Sequence, residues 1–282
     1  MIRDTWRHIR YVLLENPVTL GATLLFLLIV FLALFGPAII PHDHLKTDVT
    51  NALRAPSSDH WFGTDHLGRD ILSRVIVATR LDLAIAVSAV ALSFAIGSTV
   101  GAVIGFWGGL ADRIVGRFVD VLMAFPLFVL AMALVAALGN EVINIIYATA
   151  IINLPFYIRF ARAEVNQRRN AGYVLAARLA GNRDGRILAR VLAPNIMPTM
   201  VVQMSLNMGW AILNAAGLSF IGLGVQPPTA EWGIMVAQGA QYVITGNWWV
   251  ALFPGLALVV TVFCFNLLGD GLRDIVDPRR RT

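Results

Sequence analysis

Charged residues are scarce in this chain of 282 residues. Asp, Glu, Lys and Arg together make up 14% of the sequence, whereas 57% of the residues are hydrophobic. Soluble proteins carry about 25% charged residues, so most of this chain is not built to face water. The composition predicts that lipid surrounds the larger part of the molecule.

Cysteine, lysine and histidine are also scarce, and their scarcity excludes several kinds of site. The single cysteine, Cys264, excludes an intrachain disulfide and a cysteine-rich metal site. The single lysine, Lys46, follows no glycine-rich turn, which excludes the phosphate-binding loop of ATPases. No histidine follows His66, and Ser219 does not lie in a Gly-x-Ser-x-Gly pattern, which argues against an intramembrane serine protease. We expect no catalytic residues and no enzymatic activity in this chain.

Six stretches contain no Asp, Glu, Lys or Arg, and each is long enough for a membrane helix of about 20 residues, with about 17 as the lower limit. They cover residues 16–42, 83–111, 121–140, 142–158, 191–230 and 232–269. The sequence predicts an all-α membrane protein with six transmembrane helices. The first lies at 18–40 and is expected to be a retained anchor, because it is too long for a signal peptide. The last two lie near 198–217 and 247–269, with a structured loop between them.

The basic residues predict the orientation of these helices. With the N-terminus inside the cell, 17 of the 22 basic residues fall in cytoplasmic segments, and five (Lys46, Arg54, Arg69, Arg74, Arg80) fall outside. This bias follows the positive-inside rule. We therefore expect a multi-pass membrane protein with cytoplasmic segments 1–17 and 271–282 and an external segment 41–80. Basic clusters between apolar runs also argue against a nucleic-acid partner.

The cytoplasmic segment between the fourth and fifth spans carries the most informative pattern. Small and apolar residues from Tyr173 to Ala180 predict a helix that Gly181 and Asn182 end. A second helical stretch, 186–192, then runs to Pro194 and Pro198. Small side chains let the backbone of another protein approach closely. The alternative interpretation is an amphipathic surface helix that binds nothing.

Four separated motifs resemble a known family. The run Tyr173-Val174-Leu175-Ala176-Ala177-Arg178-Leu179-Ala180-Gly181, followed by Leu192-Ala193-Pro194-Asn195, resembles the EAA loop of ABC importer permeases, although Leu175 stands where many relatives have Glu. Residues 60–74 resemble the GTDxxGRDxxSR signature of the second permease subunit in the dipeptide, oligopeptide and nickel group, and residues 218–228 and 265–278 are similar to later parts of it.

This resemblance implies a type I ABC importer permease of the bacterial inner membrane with a MetI-like fold, in which residues 81–270 form the core and 163–197 the cytoplasmic coupling loop. Its partners would be a homologous second permease, two ATPase subunits that bind ATP and Mg, and a solute-binding protein outside the membrane. The chain itself would hold no cofactor. The residues expected to contact an ATPase are Tyr173, Ala176, Ala177, Arg178, Gly181 and Asn182.

The substrate stays open at this stage, because such importers select it mainly through the binding protein. Di- or oligopeptides are the main prediction, and nickel chelates or another small solute are the alternatives. A secondary transporter or channel is a different class, against which the near absence of ionisable groups in the spans argues. A structural or assembly subunit would show no coupling to substrate.

Two further groups of residues are candidates for specific roles. The first group lies in the external segment and consists of Gly63, Asp65, Gly68, Arg69 and Asp70. Its glycines permit tight turns, and its charged residues can form an ion pair and a helix cap, which predicts a structural motif. Polar residues within the spans either line a passage or bond between helices. These residues are Asn153, Gln203, Asn207 and Asn214.

No metal site is predicted. His42 with Asp43 and His44, or His66 with Asp70, have side chains that bind divalent metals. Their spacings are common, however, and the sequence fixes no third ligand. A polar loop and a helix cap explain both groups.

Overall fold

The computed structural model describes residues 16–276, with side chains through Asp274. A 3-10 turn at Val49–Asn51 and a π turn at Leu188–Leu192 accompany the α-helices. Residues 1–15 and 277–282, which include most of the two predicted cytoplasmic ends, lie outside the described residues. The helices are α1 (Pro17–Ile39), α2 (Ile71–Trp107), α3 (Gly109–Ala124), α4 (Leu127–Leu138), α5 (Val142–Arg168), α6 (Gly172–Leu179), α7 (Asp184–Ile187), α8 (Ala193–Phe220), α9 (Trp232–Val243) and α10 (Trp249–Val276).

Five helical segments of the described range are long and apolar enough to cross a membrane. They are α1, α2, α5, the continuous stretch from α7 to α8, and α10. A sixth crossing exists only if α3 and α4 count as one span, and these two helices are bent by 92°. The third predicted span, within 121–140, falls on the end of α3, the bend and α4.

Proline explains this bend. Phe125, which precedes Pro126, has φ −84° and ψ 145°, the extended conformation that a following proline favours. This residue ends α3, and α4 restarts after Pro126 in a new direction. With 12 residues, α4 is only about 18 Å long and does not cross a bilayer by itself.

Glycines bring α2 and α5 into close contact along their length. Gly97, Gly101 and Gly105 are spaced four apart on one face of α2. A Cβ atom at Gly101 would lie 2.3 Å from the Ile158 carbonyl oxygen, and one at Gly105 would lie 2.8 Å from the Arg162 carbonyl oxygen. Small residues at this spacing let membrane helices pack backbone to backbone. The α2–α5 pair is thus a rigid support for the segments at both of its ends.

One feature of the later segments differs from the prediction. Pro194 and Pro198 do not end the second coupling helix, because α8 begins at Ala193 and continues through both prolines. The π turn directly before α8 changes the hydrogen-bonding pattern there, and the Asn195 side chain donates to the Val191 carbonyl oxygen at 2.7 Å. The predicted structured loop between the last two spans contains a helix, α9.

Candidate coupling site and external motif

The segment predicted to contact an ATPase forms a helix, a tight turn and a second helix. After α6, Gly181 has a φ of +78°, a left-handed conformation that glycine adopts without strain. Asn182 closes the turn: its backbone N–H and its side-chain Nδ2 both donate to the Ala177 carbonyl oxygen, at 3.2 and 3.1 Å. The helix stop predicted at Gly181 and Asn182 is present.

The inner face of α6 packs against the membrane helices. Val174 is fully buried, and Ala177 contacts the main hydrophobic cluster. The guanidinium carbon of Arg178 lies 5.7 Å from the centroid of the Phe106 ring, near the end of α2, and its Nε lies 3.8 Å from Asp184 Oδ1. Arg178 therefore makes its contacts within the subunit, where it connects α6 to α2. Its side chain also keeps 42% of its surface exposed, and its contact with an ATPase stays a prediction.

The outer face of α6 is apolar and uncovered. Tyr173 and Ala176, two of the predicted contact residues, are exposed there. Leu175 and Leu179, four residues apart on the same face, are 46% and 90% exposed. Sequence analysis did not select these two leucines, although their spacing in a helix of otherwise small residues was a usable signal. Such a group of exposed apolar side chains is typical of a protein contact surface.

The external motif is held together by turns at its two glycines. Gly63 and Gly68 have φ values of +73° and +74°. A Cβ atom at Gly68 would lie 1.8 Å from the Asp48 carbonyl oxygen, so no larger residue fits without moving the backbone. These two turns bring the 3-10 turn at Val49–Asn51 against the start of α2.

Asp65 is the centre of the motif. Its Oδ1 accepts hydrogen bonds from the backbone N–H groups of Leu67 and Arg69, at 2.9 and 3.0 Å, and its Oδ2 accepts from Arg69 Nε at 2.7 Å. The Nε of Arg74 lies 3.8 Å from the same Oδ2. All three charged side chains are at least nine-tenths buried, with exposures of 8%, 3% and 1%. The ion pair is thus an internal support of the external segment.

Asp70 begins α2 as its N-cap. Its Oδ2 accepts from the backbone N–H of Ser73 at 2.8 Å and from the Ser73 hydroxyl at 2.6 Å. Its Oδ1 lies 2.9 Å from His60 Nδ1. The cap predicted from the sequence is present, and His60 is an additional partner.

The histidines group differently from either arrangement considered in the sequence. His60, and not His66, lies beside Asp70, and the rings of His42 and His60 have centroids 4.6 Å apart. His42, His60 and Asp70 each have one atom of a type that binds metals, and these three atoms lie within 4.8 Å of one another. The His42 Nε2 already lies 2.8 Å from the Asp59 carbonyl oxygen, so hydrogen bonds account for the cluster.

The four polar residues in the spans lie mostly inside the subunit. Asn153 is fully buried, and Asn207 and Asn214 are 8% and 4% exposed. The side chains of Asn153 and Asn214 donate to carbonyl oxygens one turn earlier in their own helices, and Gln203, which is half-buried, donates to Asn207 Oδ1 at 3.3 Å. A residue that lines a passage between two subunits needs an accessible surface in the single subunit. In the single subunit these three asparagines are buried and bond within their own helices, and a pore-lining role for them stays a prediction.

A buried acidic pair was missed by sequence analysis. Glu231 accepts hydrogen bonds from the backbone N–H groups of Gly233 and Ile234, at 2.9 and 2.8 Å, and so caps α9. Asp82, which lies in α2, accepts from the Trp232 backbone N–H at 3.1 Å and is hydrogen-bonded to Glu231. Burial raises the pKa of the Glu231 carboxyl group. The pair joins α2 to α9.

Two family models match this chain. Residues 97–282 match the model described as binding-protein-dependent transport system inner membrane component. Residues 3–56 match the N-terminal transmembrane domain of oligopeptide transport permease C.

Curated relatives match over nearly the full length. The chain is 42% identical to the probable D,D-dipeptide transport system permease protein DdpC of Escherichia coli, over 95% of this chain and 90% of that protein. It is 42% identical to the di/tripeptide transport system permease protein DppC of Pseudomonas aeruginosa, over 99% and 92%. It is also 39% identical to the glutathione transport system permease protein GsiD of Pectobacterium atrosepticum, over 100% and 93%.

A solved structure has the same fold. A chain of the MetNI methionine ABC transporter, in an inward-facing conformation, superposes with a TM-score of 0.61 at 19% identity. The match covers 73% of this chain and 98% of that one. The MetI-like fold predicted from the sequence is confirmed.

Proposed function

Because this chain belongs to the family of binding-protein-dependent transport system inner membrane components, we propose that it is a permease subunit of an ATP-driven importer for short peptides. The observation that carries the proposal is the near full-length similarity to permeases named for dipeptides, di/tripeptides and glutathione. All three named substrates are small peptides or peptide-like molecules. The substrate class is therefore proposed from the names of three relatives.

The proposed complex contains a homologous second permease, two ATPase subunits and an external solute-binding protein. This chain would supply half of the translocation pathway. ATP and Mg would bind to the ATPase subunits, so the role of this chain is mechanical. The charge distribution supports an orientation with both termini in the cytoplasm, which puts α6 on the side where ATP is available.

We propose that the outer face of α6 docks into a cleft of an ATPase subunit. Tyr173, Leu175 and Leu179 supply the apolar surface, and Ala176 lets the partner approach closely. Val174 and Arg178 fix the helix to the membrane core. Movement of the ATPase would therefore pass to α2 through a rigid connection rather than through a loose loop.

Replacing Leu179 by aspartate is expected to uncouple the importer. The side chain is 90% exposed, so the subunit should still fold, but a carboxylate on the docking face would have to be desolvated against the ATPase. Substrate-stimulated ATP hydrolysis by the purified complex should fall at least about tenfold, since a penalty of about 1.4 kcal/mol already gives that factor.

Ile244 offers the matched control. It is 93% exposed, lies just after α9 on the proposed external side, and its replacement by aspartate makes the same chemical change far from the ATPase. This variant should retain most of the stimulated activity. Normal stimulation in the Leu179→Asp complex would contradict the proposed docking face.

Uptake of radiolabelled dipeptides by cells with and without this chain tests the substrate class. Loss of uptake in the deletion strain, restored by the wild-type chain, is the expected result. If dipeptide uptake is unchanged and uptake of a nickel chelate or another solute is lost, the importer has a different substrate. Uptake that persists without ATPase subunits would contradict the ABC mechanism.

A further inference from the structure

A cationic cavity lies where α3 crosses α5. Its volume is about 260 Å³, and it opens to the surface. Four arginines and two aspartates supply its charged lining, which leaves an excess of positive charge. These residues are Asp112, Arg113, Arg117, Asp120, Arg159 and Arg162.

Two of the four arginines are neutralised within the cavity. Arg162 pairs with both carboxylate oxygens of Asp112, and Arg159 Nη2 lies 2.5 Å from Asp120 Oδ1. Arg113 and Arg117 have no ion-pair partner among residues 16–274. They are four residues apart on α3, a spacing at which like charges repel each other. The cavity thus presents two uncompensated cations to an anion.

The crossing of α3 and α5 indicates that α3 runs along the membrane surface, because α5 is a candidate span and the crossing lies at Arg159 and Arg162, after its apolar part. The two aspartates that pair with α5, Asp112 and Asp120, are eight residues apart on α3. Their arginine partners are only three residues apart on α5, so the two helices cross steeply. The 92° bend between α3 and α4 agrees with a change from a surface helix to a membrane-inserted one. A helix in this position lies at the boundary between headgroups and acyl chains.

An exposed apolar strip runs beside the two free arginines. Leu110, Ile114, Phe118 and Val121 are all more than half exposed, and they recur at the spacing of one helix face. Arg113 follows Leu110 by three residues and Arg117 precedes Val121 by four, so each cation lies beside this strip. Val119, on the opposite face, is the buried residue by which α3 is anchored.

We propose that Arg113 and Arg117 bind the phosphodiester group of an anionic phospholipid of the cytoplasmic leaflet, whose acyl chains cover the apolar strip of α3. Arginine binds phosphate oxygens through forked hydrogen bonds, and basic pockets between membrane helices on the cytoplasmic side hold acidic headgroups. Cations and apolar side chains lie side by side here, which matches a phospholipid better than a free anion. The proposal rests on the proposed function only for the orientation of the chain.

The test measures lipid retention by the complete importer complex. The complex is reconstituted in nanodiscs with equal amounts of phosphatidylglycerol and phosphatidylcholine, and retained lipids are counted by native mass spectrometry. Wild-type complex should retain phosphatidylglycerol preferentially, and R113Q/R117Q should lower this preference about tenfold or more. R183Q/R186Q is the control, because it removes two exposed cytoplasmic charges outside the cavity. R113K/R117K keeps both charges and should retain most of the preference.

Three results would overturn the proposal. The first is equal phosphatidylglycerol retention in the wild type and R113Q/R117Q, or an equal loss in the control. The second is that inorganic phosphate, added to complex in nanodiscs of pure phosphatidylcholine, raises the thermal unfolding temperature as much as phosphatidylglycerol does. This would indicate a free-anion site. The third is phosphatidylglycerol binding to the permease pair that disappears when the ATPases are added, which would indicate a protein contact.

Two further controls separate folding and function from lipid binding. If R113Q/R117Q does not assemble, the single variants R113Q and R117Q take its place, and each should lose part of the preference. The measurement needs no transport. A complex that retains phosphatidylglycerol but imports no peptide would contradict the proposed function and leave the lipid site standing.

Discussion

Replacing Asp65 by alanine is expected to destabilise the folded protein by about 3–5 kcal/mol, the usual cost of removing one partner of a buried ion pair. The carboxylate accepts three hydrogen bonds, two from backbone N–H groups and one from Arg69. Without it, Arg69 remains as a buried cation, and the nearby Arg74 loses its closest carboxylate. The external segment should therefore unfold well before the membrane helices.

Thermal unfolding of the purified complex measures this loss, and limited proteolysis shows where it occurs. We expect early cleavage in the external segment between α1 and α2. Asp59→Ala is the matched control, because this exposed aspartate lies in the same segment and its loss should cost less than about 0.5 kcal/mol. Asp65→Asn retains the oxygen that accepts the two backbone bonds, so its loss of stability should lie between those of Asp65→Ala and Asp59→Ala. An Asp65→Ala protein as stable as the control would contradict the central role of Asp65.

The external motif could be predicted from the sequence because its contacts are local. Asp65 and Arg69 are four residues apart, Asp70 caps a helix that begins at the next residue, and the two glycines lie where the chain turns. Each of these relations depends on a few neighbouring residues. The same reason explains the correct helix stop after α6, where Gly181 and Asn182 close their own turn.

The features that the sequence did not reveal depend on contacts or conformations that composition does not encode. The run 121–140 is apolar throughout, and its length concealed the effect of Pro126 on the residue before it. The three asparagines have the polarity of pore-lining residues, but helix packing decides which side of a helix faces inward. Likewise, Arg178 turned out to contact Phe106, which lies 72 positions earlier in the numbering.

The pair of Asp82 and Glu231 is the clearest long-range case. The two residues belong to different helices, and nothing near either one in the sequence indicates the other. In the sequence, Glu231 is the single charged residue between the uncharged stretches 191–230 and 232–269. A position in the loop between the last two predicted helices was therefore the natural interpretation. Its cap of α9 is local, but only the packing of α9 against α2 brings it to Asp82.

Replacing Glu231 by alanine is the second change with a large expected effect, about 2–4 kcal/mol, because two buried N–H groups lose their acceptor and α9 loses its cap. Glu231 is fully buried, and its two oxygens accept from Gly233 and Ile234. Glu141→Ala is the matched control: Glu141 is an exposed glutamate at the same position of α5 and makes no side-chain cap. An equal loss of stability in the two variants would contradict this role.

The dependence of stability on pH gives an independent check. A hydrogen bond between the carboxyl groups of Asp82 and Glu231 requires a proton on one of them. Burial raises the pKa of Glu231, so the folded pair keeps its proton to a higher pH than an unfolded carboxyl group does. The resulting stabilisation is fully present below the ordinary carboxyl pKa and is lost as the pH rises through the raised value. Thermal unfolding across this range should show a declining stability in the wild type and a flatter profile in Asp82→Asn, whose amide donates to Glu231 without an extra proton. An identical slope in both proteins would contradict a shared proton.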